Sequence, residues 1–182
     1  MITPLWLILS LLPLWQALPA LKTTLPTPHG VRRVDVLSAE NMYEASVKEF
    51  EAADCAVMCA AVADYTPVVV SESKIKKNDD SFSLELRKTK DIARELGKVK
   101  GARKLVGFAL ETDNEQVNAE KKLAEKNLDM IVLNSLRDEG AGFGHDTNKV
   151  SFIDSVGREE LPLLAKSEVA ERIADKIEKL FY

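Results

Sequence analysis

At 182 residues and 46% hydrophobic content, the chain is long enough to bury a core of about one domain or slightly more. A net charge of −4, with no basic patch interleaved with aromatics, gives no general attraction to nucleic acid. Two histidines, His29 and His145, and two cysteines, Cys55 and Cys59, occur without HExxH or CxxC spacing, so no protein-built metal site is expected.

The first thirty residues differ from the rest. They hold both tryptophans, Trp6 and Trp15, and five of the seven prolines, and Lys22 is their only charged side chain. A signal peptide would need a basic start that is missing. A membrane span from Leu5 to Leu21 would be at the short limit and is cut by Pro13 and Pro19. Residues 1–26 are therefore set apart as an atypical apolar leader from an α/β domain over 27–182.

Val31 to Leu37 alternates and predicts a strand. Ser38 is placed to cap a helix running to Ala53, with Ala39, Met42, Tyr43, Val47 and Phe50 at helical spacing. Cys55 to Val62 is an apolar run suited to a buried parallel strand. On one strand its two cysteines would share a face, too far apart to bridge, as small core residues of a reducing compartment. The run breaks at Ala63-Asp64-Tyr65-Thr66-Pro67 and leads to a lysine cluster at Lys74, Lys76 and Lys77. A strand that ends in a carboxylate and feeds a cationic loop fits the ligand-binding carboxyl edge of an open α/β sheet. The competing explanation is a charged loop facing water.

Residues 68–88 predict a hairpin turning at Asn78-Asp79-Asp80, with Phe82, Leu84 and Leu86 alternating. Thr89 is placed to cap a helix over Asp91–Val99. Lys104–Leu110 is a buried strand, followed by a helix on which Val117, Ala119, Leu123 and Leu128 face inward. Asp129–Leu133 is a further strand ending at Asn134, and a glycine-rich loop follows at 140–144. Lys149–Ile153 and Glu160–Leu164 are expected to pair around Gly157. Ser167 is placed to cap a final helix carrying Val169, Ile173, Ile177 and Leu180 on one face. Alternating strands and helices with right-handed crossovers predict a Rossmann-like three-layer α/β fold, with a parallel sheet and a protruding β-hairpin.

The segments AAVADYTP, KIKK, LRKTKDI, VGFALET, KNLDMIVLN and GFGHDTN, in that order, resemble phosphopantothenoylcysteine synthetase. That enzyme, also called phosphopantothenate–cysteine ligase, is the C-terminal half of the bacterial coenzyme A biosynthesis flavoprotein. The resemblance runs from about Thr27 to Tyr182 and lies in the series of motifs rather than in any one. It implies ligation of 4'-phosphopantothenate to cysteine, with CTP and Mg2+ activating the carboxylate as an acyl-cytidylate. It further implies a homodimer, and FMN only in a flavin-dependent decarboxylase domain or partner outside this stretch. The expected location is the cytoplasm, or a membrane surface if the leader is genuine.

Carried over residue by residue, the resemblance assigns nucleotide contact to Asp64, Lys74, Lys90, Asp91, Ile92, Ala93, Phe108, Lys122 and Lys126. Lys74 is also implied to be catalytic, neutralising charge at phosphorus. Lys90 stands where the family more often has proline. Lys122 and Lys126, at i and i+4, can point at one anion, or alternatively form a solvated helix face. Ala63, Asn134, Phe143 and Asn148 are candidate pocket wall, and His145 is expected at the surface without a role. The family's TxGGTxExIDxVR and NxSxGxxG stretches are not found in the 182 residues. The leader is accordingly expected to be foreign to the domain, from a truncated or out-of-frame gene start, to pack poorly and to leave ligation impaired. The alternative from another class is a nucleotide-binding fragment without catalysis.

Overall fold

The computed structural model describes residues 6–9, 16–21, 26–71, 73, 82–111, 113–135 and 145–182, with side chains described from residue 26 onward except at Ser135. In chain order the elements are β1 (Trp6–Leu9), β2 (Gln16–Leu21), β3 (Val31–Val36), α1 (Ala39–Phe50), β4 (Cys55–Met58), β5 (Tyr65–Pro67), β6 (Leu86–Lys88), α2 (Ile92–Val99), β7 (Lys104–Glu111), α3 (Glu115–Glu125), β8 (Met130–Ser135), β9 (Thr147–Asn148), β10 (Val150–Asp154), β11 (Arg158–Glu160), β12 (Leu164–Ala165) and α4 (Lys166–Lys179).

Among these, eight strands form one sheet in the order β11-β10-β8-β7-β4-β1-β2-β3. Strands β4, β7 and β8 run parallel, as do β2 and β3. Strand β1 is antiparallel to both β4 and β2, and β10 and β11 close the other side as an antiparallel hairpin. The sheet is thus Rossmann-like and mixed rather than wholly parallel.

Alternation along each strand divides the core. Ala56, Met58, Leu105, Ala109, Ile131 and Leu133 pack with Met42 and Phe50 of α1, Ile92 and Leu96 of α2 and Ala119 of α3. Cys55, Val57, Val106, Met130 and Val132 pack on the opposite face against Val169 and Ile177 of α4. The helix spacing explains this: Met42, Ser46 and Phe50, and Ile92 and Leu96, recur every four residues and are buried.

Several sequence expectations are corrected. The Cys55 strand ends at Met58, so Cys59 lies beyond it. Helix α2 is capped by Asp91, whose side chain accepts the Arg94 N–H, and not by Thr89. Helix α4 starts at Lys166, and the Glu168 carboxylate accepts the Ala165 N–H, so Ser167 lies inside the helix. Val117 faces solvent. The hairpin begins earlier than expected, with Tyr65–Pro67 paired to Leu86–Lys88, and its turn lies outside the described residues. Around Gly157 the partner of β10 is Arg158–Glu160, while Leu164–Ala165 pairs instead with β9.

Strand β1 lies between β2 and β4 in the sheet. The side chains of residues 1–25, and with them the expected poor packing of Trp6 and Trp15, lie outside the described residues.

Candidate functional site

At the carboxyl ends of β4 and β7, between α2 and α3, opens a cleft of about 170 Å³. Its floor is apolar, formed by Met58, Leu128 and Ile131, and its rim carries Asp64, Lys90, Asp91, Lys122 and Lys126. Open α/β sheets bind ligands at this edge because strand ends and helix N-termini converge there. Gly107 of β7 lines the floor, and a Cβ on it would lie 2.7 Å from Leu128 Cδ1, so a larger residue would move Leu128.

The turn before α2 is tied to the segment after β4. Thr89 Oγ1 donates to the Ala63 carbonyl at 2.6 Å, and the Thr89 N–H donates to the Asp64 carbonyl at 2.9 Å. These two bonds fix Asp64 opposite Lys90 and Asp91. Sequence reasoning missed this work of Thr89, because a threonine before a helix has the same signature whether it caps the helix or bonds elsewhere.

Among the described residues, each lysine lining the cleft meets a carboxylate. Lys90 Nζ lies 2.7 Å from Glu40 Oε1 of α1 and 4.1 Å from the centre of the Tyr43 ring. The hydrogen bond to Glu40 holds its ammonium above the usual lysine range. Lys126 Nζ lies 3.1 Å from Asp91 Oδ2. Lys122 is bonded to Glu111 at the end of β7, and Asn118 Nδ2 donates to the other Glu111 oxygen at 3.2 Å.

The cleft therefore brings together eight of the residues the sequence singled out: Asp64, Lys90, Asp91, Ile92, Ala93, Phe108, Lys122 and Lys126. Lys122 and Lys126 line one cleft but are engaged by different carboxylates, so they are not converged on one point. Phe108 lines it from β7, while its side chain packs with the core on the α4 side. Ala63 is exposed beside the cleft. Asn134 and Asn148 bond to each other at 2.9 Å across β8 and β9, and neither lines the cleft. His145 is exposed. Lys74 and Phe143 lie outside the described residues. The apolar floor and the partners Glu40 and Glu111 were not singled out from sequence; nothing separates Met58 or Ile131 from other core residues until the fold is known.

Fold and cleft define a three-layer α/β domain with a charged cleft at its carboxyl edge. The chain belongs to the DNA/pantothenate metabolism flavoprotein C-terminal domain family, which matches residues 18–181. Among curated relatives, a cysteine/cysteine sulfinic acid decarboxylase from an unknown prokaryotic organism is 51% identical over 85% of this chain and 44% of its own length. The coenzyme A biosynthesis bifunctional protein CoaBC of Bacillus subtilis is 44% identical over 86% of this chain and 39% of its own. The chain thus spans less than half the length of these relatives. The crystal structure of the C-terminal domain of a CoaBC superposes with a TM-score of 0.74 at 39% identity, covering 90% of this chain and 73% of that one. No helix among the described residues is long and apolar enough to cross a membrane.

Proposed function

We propose that the cleft binds CTP and that the domain serves the ligation of 4'-phosphopantothenate to cysteine in coenzyme A biosynthesis. The observation that carries this is the convergence of Asp64, the Lys90–Ala93 turn, Lys122 and Lys126 on one cleft. Asp64 lies in the AAVADYTP segment, Lys90, Asp91 and Ile92 in LRKTKDI, and Lys126 opens KNLDMIVLN. Homology to the C-terminal domain of CoaBC supports the same role.

In the proposed reaction a phosphopantothenate carboxylate oxygen attacks the α-phosphorus of CTP, and the bond to pyrophosphate breaks. The acyl-cytidylate then loses CMP to the cysteine amine, which forms the amide and releases a proton. Lys122, Lys126 and Lys74 supply positive charge to the triphosphate, and such charge acts most where it develops in the transition state. The Lys90–Ala93 turn offers backbone groups at the start of α2 to the base. A magnesium ion accompanying the triphosphate would supply positive charge to the phosphoryl oxygens, and Asp64 at the cleft rim is the carboxylate that would help to hold it.

The hairpin of β5 and β6 carries exposed Val68, Val69, Val70, Phe82, Leu84 and Leu86 at or near its strands, and an isolated two-stranded ribbon is marginal in water. A second copy of the chain is the proposed partner there, in a cytoplasmic homodimer. FMN belongs, on this proposal, to a decarboxylase domain or partner that joins the ligase in the longer relatives. Turnover by the 182-residue chain is expected to be impaired, because the glycine stretch NxSxGxxG is not among its residues. A nucleotide-binding domain without catalysis is the second proposal, favoured by that same observation.

One assay separates the two: CTP-dependent pyrophosphate release with phosphopantothenate, run alongside calorimetric titration of CTP. The ligase proposal expects CTP binding and slow release that rises when the family's glycine stretch is restored. Binding with no release in either form supports the second proposal. Absence of CTP binding overturns both.

A further inference from the structure

Among the described residues, the lysines of the cleft are compensated one by one. Lys90 is paired with Glu40, Lys126 with Asp91 and Lys122 with Glu111, and the three carboxylates come from α1, the cap of α2 and the end of β7. A cleft prepared for a polyanion by lysines alone would carry a net positive charge; among the described residues, Lys90, Lys122 and Lys126 face the carboxylates of Asp64, Asp91, Glu40 and Glu111.

Of the three pairs, the one with Glu111 is built differently. Glu40 and Asp91 are 49% and 38% exposed at the side chain, whereas Glu111 is 13% exposed. Asn118, from the first turns of α3, holds its second oxygen and is itself fixed by donating to the Asp113 carbonyl at 2.9 Å. The Glu111 carboxylate is therefore held in place with little water around it. A bound phosphate must draw Lys122 away from it or approach a fixed negative charge, and both oppose binding.

We propose that Glu111 sets how tightly, and how selectively, the cleft takes a phosphate-bearing anion, by competing with that anion for Lys122. This rests on the proposal that the cleft binds a nucleoside triphosphate. Weakly charged anions gain too little from Lys122 to displace Glu111, whereas a triphosphate gains enough. Glu111 thus acts as a discriminator by anion charge through a lysine it touches, and need not touch the ligand.

The experiment is calorimetric titration of the full chain and its Glu111→Gln variant with CTP, CMP and inorganic tripolyphosphate. Loss of a fixed like charge is expected to tighten CTP and tripolyphosphate by about three-fold or more. The gain for CMP is expected to be larger, so the preference for triphosphate narrows. In a Lys122→Ala background the same substitution is expected to lose most of that gain, because Glu111 acts chiefly through Lys122. Weaker or unchanged binding by Glu111→Gln, with CTP still bound by the parent chain, overturns the role given to Glu111 and leaves the nucleotide proposal standing. Tripolyphosphate tightened by the variant while neither protein binds CTP supports the role of Glu111 and overturns the nucleotide. No binding of any probe overturns both. If Glu111→Gln does not fold, Glu111→Asp, which keeps the charge but shortens its reach to Lys122, is expected to show the same ordering at smaller amplitude, and a flat result from it overturns the proposal.

Discussion

Asp91 shows how one side chain can serve fold and site together. It caps α2 by accepting the Arg94 N–H, and its other oxygen holds Lys126 at the cleft. A cap of this kind contributes about 1 kcal/mol, while the exposed ion pair adds less than that. At Lys74 the expected effect is of another sort, because its proposed partner is charge that appears during reaction. In a chain with the family's glycine stretch restored, Lys74→Ala is expected to lower ligation turnover about 10²–10³-fold while CTP affinity falls by less than ten-fold. Single-turnover kinetics beside equilibrium titration would check the split, and a variant that keeps full turnover removes Lys74 from the mechanism.

Helices α2 and α3 approach each other at Gly97. A Cβ there would stand 2.0 Å from the Lys126 carbonyl oxygen, a backbone atom that cannot rotate aside, and Asn127 Nδ2 donates to the Gly97 carbonyl at 2.8 Å across the same contact. Two effects oppose each other in Gly97→Ala. Helix propensity favours alanine by about 1 kcal/mol, whereas overpacking a tight contact costs about 1–3 kcal/mol. The expected net result is a loss of up to about 2 kcal/mol in urea unfolding, together with weaker CTP binding, since Lys126 moves with its backbone. Equal or greater stability would mean that the contact relaxes freely.

At the element scale the sequence was legible where periodicity is strong. The burial of Met42, Phe50, Val169 and Ile177 follows directly from their spacing. It was less legible where chemistry is local and ambiguous. Ser38, Thr89 and Ser167 all resemble caps in sequence, and only Ser38 is one, with Asp91 capping α2 in place of Thr89 and Ser167 lying inside α4. The site was legible through its charged residues, which stand in recognisable series, and not through Met58, Gly107 or Ile131, which join it only once β4, β7 and β8 lie side by side. The bonds at the other end of the sheet gave no advance signal either. There Asp129 accepts from Lys100 Nζ and from the Leu105 N–H, each at 2.8 Å.

For the molecule as a whole, the core is dry enough to alter a thiol. Burial, assisted by the charges of Asp129 and Asp54, raises Cys55 from 9.0 to about 12. The sign follows from linkage: a raised folded value favours the neutral form, so the contribution is intact below about pH 9 and declines as pH rises toward 12. Over that window stability is expected to fall by up to about 1.4 kcal/mol per pH unit from this group. Thiol labelling at pH 8 is the accompanying check. Cys55 is expected to react only as fast as the protein opens, and rapid labelling of the native chain at Cys55 would contradict its burial.

Strand β1 joins two groups of parallel strands that do not otherwise touch within the sheet: β2 and β3 on one side, β4, β7 and β8 on the other. Its pairing to β2 is local in the chain, whereas its pairing from Trp6 to Met58 reaches across most of the first third of the sequence. During synthesis β1 therefore emerges well before β4 exists, and until then one of its edges has no partner. Unpaired apolar edges are templates for association with other chains. The segment that completes the folded sheet is thus also where the nascent chain is most exposed to mispairing, and its order of appearance on the ribosome bears on the yield of folded protein as much as its final hydrogen bonds do.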